Sequence, residues 1–173
     1  MREVEVKILN IDVKKIREKL VSLGAKKSFE GDIPTIIFDS KEGRFQKEGL
    51  MLRLRKKGDK AILTFKGKVE KSEFKVREET EASVDSFEAA ARLFSAAGYL
   101  KKFEYSKHRE QYKLGNATFE IDTYKGIPAY VEIEAPDETQ VKNAVELLGF
   151  TIKDTTNISA SVLLKAAGIK TME

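Results

Sequence analysis

Arg2-Glu3-Val4-Glu5-Val6-Lys7-Ile8-Leu9 alternates charged and apolar side chains from Glu3 to Ile8. Side chains two apart on a β-strand share a face, so this stretch reads as a strand with Glu3, Glu5 and Lys7 on one side and Val4, Val6 and Ile8 on the other. The same alternation returns along the chain. Arg53 and Arg55 stand opposite Leu52 and Leu54; Thr64 and Lys66 opposite Leu63 and Phe65; Lys75, Arg77, Glu79 and Glu81 opposite Phe74 and Val76. Later come Lys107 and Arg109 opposite His108 and Tyr112, Glu120 and Asp122 opposite Phe119 and Ile121, and Glu132 and Glu134 opposite Val131 and Ile133. With a further run at 35–39, the period-two pattern predicts eight strands, at 2–9, 35–39, 50–56, 61–66, 73–81, 104–113, 117–124 and 129–134. Short breaks after Lys56, Lys113 and Tyr124 make the strands they join antiparallel neighbours.

Helical spacing takes over between these runs. Residues 12–24 carry Val13, Ile16, Leu20 and Leu23 behind a capping Asp12 and ahead of a terminating Gly24. Residues 85–98 and 137–149 repeat that grammar, and 159–168 predicts a shorter last helix. Gly24-Ala25-Lys26-Lys27-Ser28-Phe29-Glu30 is similar to Gly98-Tyr99-Leu100-Lys101-Lys102-Phe103-Glu104. The chain is therefore expected to be one domain over 1–173, built of two pseudo-repeated halves, 1–70 and 71–150, each strand-helix-three-strand, plus a C-terminal helix.

One charged strand face is ordinarily the wet side of a sheet. Seven of them would require a very wide exposed sheet, whereas about eight strands also close into a barrel with the charged faces turned inward and helices over the apolar outside. The expected fold class is then α+β: an eight-stranded antiparallel β-barrel flanked by helices. A bore lined by Lys7, Arg53, Arg55, Lys66, Lys75, Arg77, Lys107, Arg109 and a similar number of acids is no dry core, because each unpaired buried ion costs several kcal/mol. It is a wet tunnel suited to a polyanion and a cation.

Composition narrows the chemistry. Among 173 residues there is no cysteine and one histidine, which excludes disulfides, thiolate nucleophiles, zinc-cysteine sites and nearly every imidazole metal site or catalytic triad. Lys and Arg number 32 against 28 Asp and Glu, and a net charge of +4 is too mild to mark a nucleic-acid binder. Neither a P-loop nor Gly-x-Gly-x-x-Gly occurs. No apolar run spans a bilayer, and the chain opens on charge alternation, so a cytoplasmic protein is expected.

Taken in order, Glu3-Val4-Glu5-Val6-Lys7, Leu52-Arg53-Leu54-Arg55, Leu63-Thr64-Phe65-Lys66-Gly67, Lys75-x-Arg77-x-Glu79-x-Glu81, Lys107-x-Arg109-x-x-Tyr112, Asp122, Glu132-x-Glu134 and Ser159-x-Ser161-x-Leu163-Leu164 cover nearly the whole chain. In this set the sequence resembles the CYTH domain family, the class IV adenylyl cyclase and thiamine triphosphatase group of the triphosphate tunnel metalloenzymes. The resemblance implies an eight-stranded tunnel, a triphosphate-bearing small molecule as partner, and Mg²⁺ or Mn²⁺ as cofactor. It implies Glu3, Glu5, Asp122, Glu132 and Glu134 as metal ligands and Glu5, Lys66 and Glu79 as catalytic residues. The bases Lys7, Arg53, Arg55, Lys66, Lys75, Arg77, Lys107 and Arg109 suit a phosphate cradle. The last motif departs from the family's pattern, with Ala160 or Val162 where an aromatic follows the serine, which leaves the C-terminal helix's part in closing the tunnel open.

The leading expectation is metal-dependent hydrolysis of inorganic triphosphate, thiamine triphosphate or a nucleoside triphosphate. The alternative is a class IV adenylyl cyclase making cyclic AMP and pyrophosphate, and a third reading is a non-catalytic polyphosphate or nucleotide binding module. Both monomer and homodimer remain open. His108 is expected to pack on the apolar side of its strand, and Glu79 and Glu120 either to act at the site or to pair with Arg77 or Lys107.

Overall fold

The alternating runs close on themselves. The computed structural model describes residues 2–70 and 73–168, with side chains from Val4 onward. Its strands are β1 (Arg2–Ile8), β2 (Lys26–Asp39), β3 (Met51–Lys57), β4 (Lys60–Lys66), β5 (Lys75–Val84), β6 (Leu100–Leu114), β7 (Ala117–Tyr124) and β8 (Ile127–Ala135). They form a closed barrel in the order β1-β5-β4-β3-β2-β6-β7-β8, with every neighbouring pair antiparallel.

β2 and β6 exceed the predicted lengths by the most. β2 and β6 pair along almost their whole length, from Lys26 opposite Lys113 to Asp39 opposite Leu100. Gly31 and Pro34 hide the first part of β2 as breaks, but pairing with β3 begins only at Thr35, so the donor that Pro34 lacks removes no ladder bond on that side.

The helices are α1 (Val13–Ser22), α2 (Arg44–Glu48), α3 (Phe87–Ala96), α4 (Glu138–Leu147) and α5 (Ala160–Ala166). Asp12 and Asp137 cap α1 and α4, each accepting a backbone N–H three residues on. α3 is capped by Ser86 rather than Asp85, its hydroxyl accepting from Ala89 N at 3.1 Å. The unexpected α2 is held by a tertiary contact: fully buried Asp39 accepts from Phe45 N at 2.9 Å and Gln46 N at 3.0 Å.

Outside the barrel, α1 and α4 cover the apolar sides of β1, β7 and β8. There Ile16, Leu20, Val141 and Val145 meet Val4, Val6, Phe119, Ile121, Val131 and Ile133. α2 and α3 cover β2 and β3, where Phe45 and Ala91 pack with Ile36, Phe38, Leu52 and Leu54. Each such aliphatic or aromatic side chain contributes about 1.5–3 kcal/mol on burial, and this outer shell is the hydrophobic core. His108 does not join it. Its ring is exposed, with Nδ1 2.9 Å from Asp32 Oδ1, because the cross-strand partner at that register is a carboxylate rather than an apolar residue.

β5 stops pairing with β1 at Glu5, and the next position on that edge is taken by Thr156, whose backbone exchanges two 2.8 Å hydrogen bonds with Lys7. That bridge leads the chain into α5 over the end of the barrel where β1 finishes. Among the described residues, no helix is long and apolar enough to cross a membrane.

Candidate active site

The barrel bore holds a cavity of about 390 Å³. Into it project Glu5 and Lys7 from β1, Arg53 and Arg55 from β3, Lys66 from β4, and Lys75, Arg77 and Glu79 from β5. From the far wall come Lys107 and Arg109 of β6, Glu120 of β7, and Glu132 and Glu134 of β8. All eight bases read from strand parity therefore face one space. The Glu3 side chain lies outside the described residues. Asp122 is wholly buried behind Arg109 rather than on the cavity surface.

The charges are arranged as a linked network. Lys7 donates to Glu5 at 3.1 Å and lies 2.7 Å from Glu132, while Lys75 donates to Glu5 at 2.5 Å. Burial and the nearby Glu132 push the Glu5 pKa up, but Lys7 and Lys75 outweigh them and leave it below the ordinary carboxylate value. Burial likewise works against Glu132, yet Lys7, Arg109 and Lys107 hold it well below that value. Arg109 grips Asp122 with Nε and a terminal nitrogen, each at 2.6 Å, and pairs with Glu120 through the other terminal nitrogen. Lys107 adds a third bond to Asp122 at 2.7 Å. Both Asp122 oxygens are thus committed to aiming Arg109 and Lys107. Glu79 pairs with Lys66, its cross-strand neighbour, rather than with Arg77. Arg77 turns both Nε and a terminal nitrogen onto the Gly67 carbonyl, at 3.0 and 2.6 Å.

On the opposite wall Arg53 and Arg55 share Glu81, at 3.7 and 2.9 Å. Burial and the neighbouring Arg53 lower the Arg55 pKa, the mark of two cations held closer than they would choose. The Nε–H of each guanidinium is buried and has no hydrogen-bond partner. Two side-by-side guanidinium groups with idle donors have the chemistry that suits an anion.

Among the described residues, no group of three or more His, Asp or Glu side chains is arranged to hold a metal ion. Of the expected set Glu3, Glu5, Asp122, Glu132 and Glu134, the Glu3 side chain lies outside the described residues, Glu5 and Glu132 are both drawn onto Lys7, and Asp122 is held by Arg109 and Lys107. The donor chemistry nevertheless suits a hard divalent cation, which takes oxygen ligands. Register adds to this: Glu5 lies directly opposite Glu134, and Glu120 directly opposite Glu132. Facing like charges destabilise a sheet unless a cation lies between them.

Aromatic residues are the part of the lining that charge parity overlooked. Phe103 and Tyr105 of β6, Tyr124 of β7 and Tyr130 of β8 all border the cavity, with Ser159, Ala160, Ser161 and Leu164 around the start of α5. The signal was present, since Phe103 and Tyr105 share the parity of Lys107, Tyr124 that of Asp122, and Tyr130 that of Glu132. α5 borders the bore itself, without an aromatic in its serine motif. A larger cleft of about 710 Å³ lies outside the barrel between α3 and strands β2 and β6, but its Lys101 and Glu104 pair with each other at 2.7 Å and no set of like charges converges there.

A charged bore in a closed antiparallel barrel with helices outside defines the triphosphate-tunnel fold. The CYTH domain model matches residues 1–162, and the chain belongs to that family. A curated relative from Methanocaldococcus jannaschii, named "Putative adenylate cyclase", is 32% identical over 138 residues, covering 78% of this chain and 77% of the relative. The PH1012 protein of Pyrococcus horikoshii shares the fold with a TM-score of 0.78 at 24% identity, over 93% of this chain and 98% of that one. A Hippeastrum protein, HpAC1, titled an adenylyl cyclase candidate that reveals a dominant triphosphatase activity, aligns with a TM-score of 0.69 at 15% identity, over 98% and 97% of the two chains.

Proposed function

We propose that the barrel binds the triphosphate group of a small molecule and hydrolyses it with the help of a divalent cation. The observation that carries this reading is the convergence of eight bases on one cavity in which the Arg53 and Arg55 Nε–H donors have no partner. A triphosphate carries about four negative charges near neutral pH, and its transfer depends mainly on positioning and on neutralising oxygens. Arg53, Arg55 and Arg109 grip non-bridging oxygens as forks, and Lys7, Lys66, Lys75, Arg77 and Lys107 complete the cradle. Glu5, Glu132 and Glu134, with Glu3, would hold Mg²⁺ or Mn²⁺, which when bound supplies further charge neutralisation at the phosphate oxygens. Asp122 acts as a positioning residue for Arg109.

In the reaction, a water oxygen bonds to the terminal phosphorus as the bridging P–O bond breaks and diphosphate leaves. Glu79, paired with Lys66, takes the proton from the water, and Lys66 offsets charge on the departing oxygen. A single domain of two pseudo-repeated halves underlies the site: exchanging β1–β4 with β5–β8 maps the ring order onto itself, which supports that division.

A second reading, adenylyl cyclisation, draws on the name of the Methanocaldococcus relative and uses the same cradle. The deciding experiment incubates the protein with ATP, inorganic triphosphate and thiamine triphosphate plus Mg²⁺ or Mn²⁺, and separates the products. Orthophosphate release is expected. Cyclic AMP with pyrophosphate would establish the cyclase instead, and binding without any product would leave a non-catalytic module.

A further inference from the structure

The rows of bases in the bore run on past the cavity. On β3 the face that carries Arg53 and Arg55 continues to Lys57, on β6 that of Lys107 and Arg109 continues to Lys113, and on β4 that of Lys66 continues back to Lys60. Register adds a fourth base. Lys60 stands directly opposite Lys57, and Lys26, at the start of β2, directly opposite Lys113. Directly opposite residues share a side of the sheet. β3 and β6 end where β2 and β4 begin, because neighbouring strands are antiparallel. All four lysines therefore stand on the inner side of one mouth of the barrel.

Their company sets these lysines apart. Deeper in the bore Lys7, Lys66, Lys75 and Lys107 each hold a carboxylate. Among the described residues, none of Lys26, Lys57, Lys60 and Lys113 comes within ion-pair distance of one. Lys57 has neutral partners only: its Nζ donates to the side-chain carbonyl of Gln111 and lies 5.0 Å from the centre of the Phe29 ring. Burial lowers its pKa, Glu120 opposes the shift, and Arg109, Arg55 and Lys113 add to it, so Lys57 feels both the cradle and the mouth. Like charges directly opposite each other destabilise a strand pair, and here two such pairs share one end of the barrel. An arriving anion offsets that repulsion. The other end offers no such field. It is bordered by α5 and by the rings of Phe103, Tyr105, Tyr124 and Tyr130, and the lysines over two of those rings, Lys7 and Lys107, are already paired.

We infer that Lys26, Lys57, Lys60 and Lys113 form the entrance of the bore, an outer collar that collects a polyphosphorylated anion and passes it inward to Arg55 and Arg53. The inference rests on the triphosphate reading of the cradle and adds to it the end by which the anion arrives. Unneutralised charge around a mouth raises the rate of encounter with an oppositely charged ligand, commonly by about tenfold or more, and salt screens the effect. The collar acts on arrival and not on the ligand once seated, since the cradle residues deeper in hold it there. Lys57, with only a carbonyl and a ring to leave, is the link between the two.

The test compares two triple variants that each remove three positive charges from exposed lysines. One is Lys26→Gln/Lys60→Gln/Lys113→Gln at the collar; the other, Lys14→Gln/Lys15→Gln/Lys19→Gln on α1, controls for net charge. Rapid mixing with a fluorescent triphosphate ester, in EDTA to prevent turnover, gives association and dissociation rates for both and for the wild type. The collar variant is expected to associate about five- to tenfold more slowly at about 0.01 M salt, with its dissociation rate within about twofold of wild type and the gap closing toward about 0.15 M. The control should lose about twofold or less. Equal losses in the two variants would overturn the entrance, because net charge alone would then explain them. So would unchanged association, or a loss confined to faster dissociation, which would make the lysines ordinary contacts of the bound ligand. A wild type that does not bind the ester at all would instead remove the triphosphate reading of the cradle, and the entrance with it.

Discussion

Replacing Glu110 by Gln tests how the outer wall of the barrel is fastened. Glu110 points outward from β6, between the inward Arg109 and Gln111, and its side chain is only 6% exposed. Arg17 of α1 donates to it from Nε at 2.9 Å and from a terminal nitrogen at 2.6 Å; Lys27 adds 3.2 Å and the Tyr112 hydroxyl 3.0 Å. The Arg17 hydrogen bonds, against the opposing effect of burial, hold its pKa at about 2 rather than the ordinary 4.5. At full strength that difference corresponds to roughly 3 kcal/mol. Arg17 and Lys27 are 44% and 38% exposed, and water screens them, so the expected contribution falls to about 1–2 kcal/mol. The folded pKa is depressed, so this stability is fully present above pH 4.5 and is lost as the pH falls toward 2. Glu110→Gln keeps the side-chain volume. Urea unfolding should show it less stable than wild type by about 1–2 kcal/mol at pH 7, with the gap narrowing steadily from pH 4.5 to pH 3. Wild-type stability at pH 7, or a gap that does not change with pH, would refute the reasoning.

Two further outcomes concern the bore. Arg53→Ala and Arg55→Ala should each weaken triphosphate binding, measured by calorimetry, while the intervening Leu54→Ala, fully buried under the helices, should lower unfolding stability by about 2–5 kcal/mol and bind nearly as wild type; the opposite pattern would break the parity argument. Glu5→Gln and Glu134→Gln should cut turnover by orders of magnitude with the circular dichroism spectrum retained, and chelation with EDTA should abolish it. Full turnover by the chelated protein would remove the metal ligands from the proposal.

Parity made most of the barrel legible, because charge against apolar at period two is a strong signal wherever both kinds of residue are present. It weakened on β2, whose inward Ile33, Thr35 and Ile37 carry no charge and whose Gly31 and Pro34 look like breaks. It also had nothing to say about α2, since Asp39 caps that helix across a loop. The pairing of the inward charges was not readable either. Glu5 meets Lys75, 70 residues away, only because barrel closure sets β1 beside β5; Glu79 meets Lys66 because register sets them opposite, whereas Glu120 passes its register partner Gln111 to reach Arg109 diagonally. Tyr105, Tyr124 and Tyr130 obeyed the same parity as the charges, but a search confined to ionisable residues passes over them.

The seam between β1 and β8 has a consequence for how the protein comes into being. Val4 pairs with Ala135, so the barrel cannot close during synthesis until nearly all of its strands have emerged, and such long-range pairing is slow. An unclosed sheet leaves β1 and β8 as bare edges, the usual templates for aggregation. Here, however, every second residue along those edges is charged, Glu5 and Lys7 on one and Glu132 and Glu134 on the other. The groups that later line the bore would keep the half-made barrel from zipping onto its neighbours, and a variant that neutralised them would be expected to accumulate as insoluble chains on expression even where the finished fold tolerates the change.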